Sequence, residues 1–150
     1  MADTSLSEKK IGLLVWQASN YWQTNMRQIL KNYNISLNEY LILETIDFLQ
    51  NNLDSPSQKG ISIFSGIDVS VVSISLKSLE NKKLIKRLID RDIRKKIISI
   101  LPEGYRVFNK IFPEIVQREK SLFDKLQNEK INFCNSLRLI LGRKLRIKVK

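Results

Sequence analysis

The stretch LIKRLIDRDIRKKIISIL, residues 84–101, differs in kind from the rest of the chain. Two runs rich in isoleucine and leucine, 84–89 and 97–101, lie on either side of a strongly charged segment, 90–95. β-Branched residues favour strands, and two such runs joined by a short polar segment predict an antiparallel β-hairpin. The other segments carry helical periodicity, so the sequence predicts a mainly α-helical fold with one small hairpin (α+β).

Three helices are predicted within residues 8–66. In residues 8–32, apolar side chains recur at three- and four-residue steps over more than one face, which is typical of a helix that is deeply buried or shared between subunits. Ser36 and Glu39 form an S-x-x-E capping box that predicts the start of a second helix. A second box at residues 55–58, with proline at the first helical position, predicts a short helix that ends at Gly66.

Asp68 is expected to cap a fourth helix, so that the two short helices joined by SGIDVS form a helix-turn-helix. At 100° per residue, one face of this helix is apolar and the opposite face carries small or polar side chains. The apolar face consists of Val69, Val72, Leu76 and Leu79, and the exposed face of Ser70, Ile74, Lys77, Ser78 and Asn81, flanked by Val71 and Ser73.

Two further helices are predicted after the hairpin. The first runs from Pro102 to about residue 126, and Pro113 is expected to kink it because proline lacks the amide hydrogen that an inner helical position needs. The last spans residues 129–145. Cys134 lies on its apolar side and is predicted to be a buried, unreactive thiol.

The net charge of +11 is concentrated in two segments. Residues 76–100 hold nine basic and three acidic side chains, and residues 138–150 hold six basic and no acidic ones, whereas the first 75 residues are slightly acidic. This segregation predicts an anionic partner, either nucleic acid or a membrane surface. No apolar run approaches the ~18–20 residues of a spanning helix, and the N-terminus lacks an apolar signal core, so a cytoplasmic protein is predicted.

The residue types argue against an enzyme. With one cysteine and no histidine, the chain cannot form an internal disulfide or use Ser-His or Cys-His catalysis, and the preferred zinc ligands are nearly absent. No acid-base pair, metal cluster or phosphate-binding glycine loop is present in the sequence. The sequence therefore predicts a non-enzyme without a cofactor or metal.

A helix-turn-helix followed by a charged hairpin is a pattern typical of DNA binding. A helix fits the major groove and its exposed face contacts base edges. Ile74 on that face either contacts thymine methyl groups or packs against a neighbouring loop. The hairpin tip brings Arg91, Arg94, Lys95 and Lys96 together, where they would reach phosphates or the adjacent minor groove, or form a solvated turn.

These residues resemble the winged-helix core of the MarR family of bacterial transcription regulators. The resemblance covers residues 35–126. Its motif comprises Leu79-Glu80, Lys82-Lys83, Leu84-Ile85, Arg87, Asp92-Ile93-Arg94, the strand from Ile97 to Ile100, and Glu103-Gly104.

The resemblance implies a single domain over residues 1–150 that forms a homodimer and binds double-stranded DNA in a sequence-specific manner. The winged helix-turn-helix core would span 35–101, and residues 8–33 and 102–147 would form the dimerisation helices. The fourth helix would be a recognition helix in the major groove, with the hairpin as a wing in the minor groove. The predicted DNA contacts are Ser57, Gln58, Lys59, Ser70, Val71, Ser73, Ile74, Lys77, Arg91, Arg94, Lys95 and Lys96, with Asp92 holding the wing in shape.

The chain departs from the family pattern at four positions. Lys83 stands where glycine is usual, and Ile74 stands where the family places a base-contacting arginine. Ile93 replaces the first arginine of D-R-R. Leu101 replaces a capping threonine, so the helix from Pro102 is expected to start without a side-chain cap.

Many members of this family release DNA when a small aromatic ligand binds. Trp16, Tyr21, Trp22, Met26 and Phe48 are candidates for such a pocket, and at helical spacing they also fit a plain core.

The basic C-terminus leaves three roles open: a solvated helix end, a second contact to the DNA backbone, or a weak anionic-membrane segment. This tail and the missing arginine at position 74 motivate an alternative function, an architectural or RNA-binding winged-helix protein without a specific operator.

Overall fold

The computed structural model of the chain describes residues 10–52, 56–90 and 95–142. It confirms the mainly helical architecture with one antiparallel hairpin. In chain order the elements are α1 (Ile11–Leu30), α2 (Leu37–Asn52), α3 (Gln58–Ser65), α4 (Val69–Asn81), β1 (Ile85–Asp90), β2 (Lys95–Ile100), α5 (Pro102–Phe123) and α6 (Lys130–Ile140), with 3-10 turns at Lys31–Tyr33 and Asp124–Glu129.

The start of α2 is fixed by the capping box predicted from the sequence. The Glu39 amide donates to the Ser36 hydroxyl at 3.1 Å, and the Ser36 amide donates to Glu39 Oε1 at 3.1 Å. Just before this box, Asn34 adopts a left-handed backbone conformation with φ of 54°. Local residues therefore determine where α2 begins.

The predicted start of α3 was wrong by two residues. The helix begins at Gln58, and Ser57 is its cap, with its hydroxyl accepting from the Gly60 amide at 3.1 Å. Pro56 lies before the helix because its carbonyl accepts from the Ile98 amide at 3.1 Å, which ties this segment to β2. Ser55 lies outside the described residues. Gly66 ends α3 with φ of 77°, as predicted.

The hairpin strands pair from Ile85 opposite Ile100 to Asp90 opposite Lys95. Ile85 and Ile98 are buried, and Leu88 points outward with 51% of its surface exposed. Residues 91–94, between the two strands, lie outside the described residues.

Glycine is required where α5 passes the base of the hairpin. A Cβ at Gly104 would lie 2.1 Å from the Leu84 carbonyl oxygen, a distance that no side chain tolerates. The same carbonyl accepts a hydrogen bond from the Leu101 amide at 2.9 Å. This close approach explains the Glu-Gly that closes the sequence motif.

The core centres on α2, where Ile42, Leu43 and Ile46 are fully buried. The Tyr40 and Phe108 rings stack with centroids 6.0 Å apart and join α2 to α5. The other buried apolar residues come from the end of α1, from α3, α4, the hairpin and α5, including Met26, Leu30, Ile61, Val72, Leu76, Leu79, Leu84, Ile85, Ile98 and Ile111.

The chain divides into two compact units, Met1–Glu114 and Ile115–Lys150. Pro113 lies inside α5, and the kink expected there stays a prediction. In the second unit, α5 ends at Phe123 rather than near residue 126, and Gln127 has a non-helical backbone with φ of 49°.

Helix α6 has no buried residue. Cys134, predicted to be buried, is exposed because the apolar side of α6 has no covering element within the described chain. Residues beyond 142 lie outside the described part.

Among the described residues, no single helix is long and apolar enough to cross a membrane. Only the bent pair Gln58–Ser65 and Val69–Asn81 meets the length and composition requirement, and only when its two members are taken together.

Candidate nucleic-acid interface

Helices α3 and α4 are joined by a short turn with a bend of 119° between them, the angle typical of a helix-turn-helix. The turn is fixed by its own side chains. The Ser62 hydroxyl donates to the Ile67 carbonyl at 2.6 Å, and the Ile67 amide donates to the Ser65 hydroxyl at 3.1 Å. These bonds set the direction in which α4 leaves the turn.

The N-terminus of α4 is capped by Asp68, as predicted. Its Oδ1 accepts from the Ser70 amide at 2.9 Å and from the Ser70 hydroxyl at 2.5 Å. These side-chain and backbone hydrogen bonds from Ser70 hold the pKa of the Asp68 carboxyl below its ordinary value. The Asp68 carboxyl is therefore ionised at neutral pH, and it accepts the hydrogen bond that the Ser70 hydroxyl can donate.

The exposed face of α4 carries most of the side chains predicted for it. Ser70, Ser73, Ile74 and Lys77 are exposed at i, i+3, i+4 and i+7, so they share one face. Ile74 is 72% exposed, which makes it one of the most exposed apolar residues described. This side chain does not pack against a neighbouring loop to any large extent.

Two side chains of α4 differ from the helical-wheel prediction. Val69, expected on the buried face, is 51% exposed because side chains tilt towards a helix N-terminus, and at the first position this carries Val69 beyond the packed turns. Ser78, expected on the exposed face, is half-buried and donates to Glu39 Oε2 at 3.2 Å. Val71, a predicted contact, is half-buried.

The C-terminal end of α4 is held by a buried carboxylate of α2. Lys82 Nζ lies 3.0 Å from Glu39 Oε2 and also donates to the Asn34 carbonyl at 2.8 Å. Burial raises the pKa of Glu39, but the hydrogen bonds from Lys82 and Ser36 outweigh it, and the pKa is lowered overall. Lys82 is thus engaged by protein groups and is not an open cation on the surface.

A second ion pair joins α4 to the wing. Arg87 on β1 donates from Nη2 to Glu80 Oε1 at 3.1 Å and from Nε to Oε2 at 3.3 Å. Between the two partners, Lys83 takes a left-handed conformation with φ of 60°, at the position where the family usually has glycine. This fork-shaped pair fixes the base of the hairpin against the end of α4.

Part of the predicted wing lies outside the described residues: Arg91, Asp92 and Arg94 fall in the gap between the strands. In the backbone register of the hairpin, Lys95 lies opposite Asp90 and Lys96 opposite Ile89, at the end nearest the gap.

The predicted phosphate contacts at the start of α3 occupy different environments. Ser57 uses its hydroxyl as the helix cap, Gln58 is half-buried, and Lys59 is exposed. Two exposed cations were not predicted individually: Lys83 in the turn after α4 and Lys86 on β1. Both belong to the basic segment noted in the sequence. Their exposure could not be predicted from it, because it depends on the conformation of the turn at Lys83 and on the register of β1.

The five aromatic and methionine residues predicted as a ligand pocket have separate environments. Trp16 and Tyr21 are exposed on α1, Trp22 is half-exposed, and Met26 is buried in the core. Phe48 alone of the five lines a groove of about 530 Å³.

The groove lies between α2, α3 and α5. Phe48 and Phe64 stack at its edge with centroids 4.6 Å apart. Its other lining residues are Leu41, Glu44, Thr45, Asp47, Asn51, Asn52, Ser65 and Phe112. Phe64 and Phe112 were not among the residues predicted for a ligand pocket, and only the packing reveals that they face this groove.

The helix-turn-helix α3–α4 followed directly by the hairpin β1–β2, between long flanking helices, defines a winged helix-turn-helix protein. Solved MarR-family transcriptional regulators share this fold, so the fold that the resemblance implied is confirmed.

No family model matches the sequence. The chain is 25% identical over 131 residues to YdcH of Bacillus subtilis, described as an uncharacterised HTH-type transcriptional regulator, with 87% of this chain and 88% of YdcH covered.

Three solved structures share the fold. A MarR-family regulator from Silicibacter pomeroyi superposes with a TM-score of 0.73 at 18% identity, covering 99% of this chain and 100% of that chain. The MepR–DNA complex of S. aureus gives 0.77 at 23% identity, covering 86% and 92% respectively. CouR from Rhodococcus jostii RHA1 bound to p-coumaroyl-CoA gives 0.76 at 19% identity, covering 95% and 97%.

Proposed function

We propose that the chain is a homodimeric transcriptional regulator that binds double-stranded DNA in a sequence-specific manner. The observation that carries the proposal is the exposed face of α4, presented by a rigid helix-turn-helix beside a basic hairpin. The likeness to MepR, which is solved in complex with DNA, supports the same use of this fold.

The exposed face of α4 suits the major groove, which admits one α-helix. Ser70, Ser73, Ile74 and Lys77 would face base edges or nearby phosphates. The wing would reach the neighbouring minor groove, where Arg94 is attracted by the negative potential.

The flanking cations would fix the position of the protein on the duplex. Lys59, Lys83 and Lys86 are exposed near the start of α3, after α4 and on β1, respectively. Lysine contacts to phosphate carry little sequence information but supply affinity that falls with salt. The basic hairpin tip and C-terminal tail would add to this attraction.

The homodimer is supported by apolar faces that have no partner in the described chain. On α1, Leu13 and Trp16 are 48% and 64% exposed, and on α6, Leu137 and Ile140 are 38% and 72% exposed. The residues of each pair are three positions apart and so share a face. Contiguous exposed apolar surface on a helix marks an association site. A second copy of the chain would cover both helices and place two copies of α4 on a pseudo-palindromic site.

The groove beside Phe48 and Phe64 is the candidate site for an effector. Its stacked rings suit a small aromatic ligand, and CouR, which shares the fold, is solved with an aromatic acyl-CoA. A ligand seated between α2, α3 and α5 would contact the helix that precedes the turn to α4. Its binding would thereby bias the position of α4.

Selection of bound duplexes from a random library tests the function. The expected result is a pseudo-palindrome with half-sites about one helical turn apart. Binding of the selected site should fall steeply between 50 and 200 mM salt, by roughly 10³-fold for six phosphate contacts. Equal affinity for all duplexes, or preference for RNA competitor, would instead support the architectural or RNA-binding alternative.

A further inference from the structure

We propose that the first two turns of α4 select A·T base pairs, with Asp68 and Ser70 accepting from the adenine amino group and Ile74 and Val69 contacting thymine methyl groups. The proposal rests on the DNA-binding function above and specifies the class of site that the protein recognises.

The Asp68–Ser70 pair can only accept hydrogen bonds from a base. The single hydroxyl proton of Ser70 is directed at Asp68 Oδ1 over 2.5 Å, and the carboxylate of Asp68 has no proton to offer. Guanine presents only the acceptors N7 and O6 in the major groove, whereas adenine N6 and cytosine N4 are donors. Guanine would therefore leave acceptors facing acceptors at this end of the helix.

Exposed hydrocarbon lies on the same end of α4. Ile74 is 72% exposed and stands one turn after Ser70, and Val69, which precedes Ser70, is 51% exposed. The thymine methyl is the hydrocarbon group that the four bases present in the major groove. Each base pair presents one amino donor beside two acceptors in the major groove, but only the A·T pair adds a methyl group to its donor.

The rest of α4 contributes little that would select guanine. Within Val69–Asn81, Lys77 is the only basic side chain, and it lies one turn further along the exposed face than Ser73. Beyond α4, Lys82 and Arg87 are engaged by acidic side chains. Lys83 and Lys86 are exposed but lie after the last residue of the helix. Recognition of guanine by α4 is thus confined to the bases opposite Lys77.

The test combines base analogues with side-chain variants on the selected half-site. Replacing a contacted thymine with deoxyuridine removes one methyl group and should weaken binding about fourfold in the wild type, the value of one buried methyl group. In Ile74→Ala, the ratio of the affinity for the thymine duplex to that for the deoxyuridine duplex should fall to about one. Ile63→Ala, which truncates an exposed isoleucine of α3, is the matched control and should keep the wild-type ratio.

A second arm tests the acceptor pair. Replacing the contacted deoxyadenosine with purine 2′-deoxyriboside, which lacks the amino group, should weaken wild-type binding several-fold and affect Ser70→Ala less. Ser73→Ala on the same face is the control and should respond as the wild type does.

The outcomes separate the two proposals. A clear consensus with guanine opposite the first two turns, or an unchanged wild-type affinity on deoxyuridine, overturns A·T selection while the regulator stands. A selection without any consensus overturns the regulator and the A·T selection together.

Discussion

Lys82 Nζ lies 3.0 Å from the carboxylate of Glu39, so the residue that follows α4 is bonded to the first turn of α2. Glu39 also belongs to the capping box of α2 and accepts from Ser78 of α4. One carboxylate therefore serves two helices. The position of α4 depends on this group as well as on the apolar core.

Glu39→Ala should lower the free energy of unfolding by about 2 kcal/mol, because it removes a helix cap and leaves Lys82 without its carboxylate. Urea denaturation measures the change. Glu103→Ala is the control: its pair with Arg106 is exposed to solvent, and its loss should change stability far less than the loss of Glu39 does. Equal effects of the two variants would show that the Glu39 cluster adds no more than a surface pair.

The stability supplied by Glu39 should disappear in acid. Its pKa is lowered in the folded chain, since the bonds from Lys82 and Ser36 outweigh burial. The contribution is complete above the unfolded pKa of about 4.3 and is lost as the pH falls through the lower folded value. The stability difference between wild type and Glu39→Gln, measured from pH 6 down to 3, should therefore shrink below about pH 4.3. A difference that stays constant over this range contradicts the assignment.

Lys77 and Lys82 should differ in how they affect the salt dependence of DNA binding. Lys77 is exposed, whereas the positive charge of Lys82 is balanced by its ion pair with Glu39. Lys77→Met should reduce the slope of log affinity against log salt by about one. Lys82→Met should leave that slope unchanged, whatever it does to affinity. Titrations at four salt concentrations give both slopes, and an equal reduction would place Lys82 on the DNA.

Gly104→Ala should be strongly destabilising. Its Cβ would lie 2.1 Å from the Leu84 carbonyl oxygen, so backbone must shift, at a cost of at least about 2 kcal/mol. Gly12→Ala is the matched control, because no atom lies within 4 Å of its Cβ position and alanine favours helix. Thermal melts should show a lower Tm for Gly104→Ala alone. A Tm equal to that of the control would contradict the close packing of α5 against the hairpin.

Trp16→Glu should convert the proposed homodimer to a monomer at micromolar concentration, because it places a charge in the exposed apolar face of α1. Gln17→Glu adds the same charge at the next exposed position and should leave the dimer intact. Sedimentation equilibrium measures the mass of each. A dimeric Trp16→Glu variant would remove this face from the proposed interface.

Features set by neighbouring residues were predictable from the sequence. The Ser36–Glu39 box, the Asp68 cap and the left-handed Gly66 depend on contacts within a few positions, and all three were predicted correctly. The hairpin was predicted from its two β-branched runs. Which side chains it buries was not, because its apolar alternation is imperfect.

Features set by distant residues were missed. Pro56 does not start α3, because its carbonyl bonds to Ile98 on β2. Ser78 was assigned to the surface because its partner Glu39 lies 39 positions earlier in the chain. The aromatic groove has the same origin, since Phe48 and Phe64 meet only when α2 packs against α3.

The glycine contact at the base of the hairpin has a mechanical consequence. Gly104 sits against the Leu84 carbonyl, and the Leu101 amide bonds to that same oxygen, so the first turn of α5 and the root of the wing share one rigid joint. The close contact leaves no space in which the first turn of α5 could rotate without moving the hairpin. The hairpin must therefore rotate together with the first turn of α5.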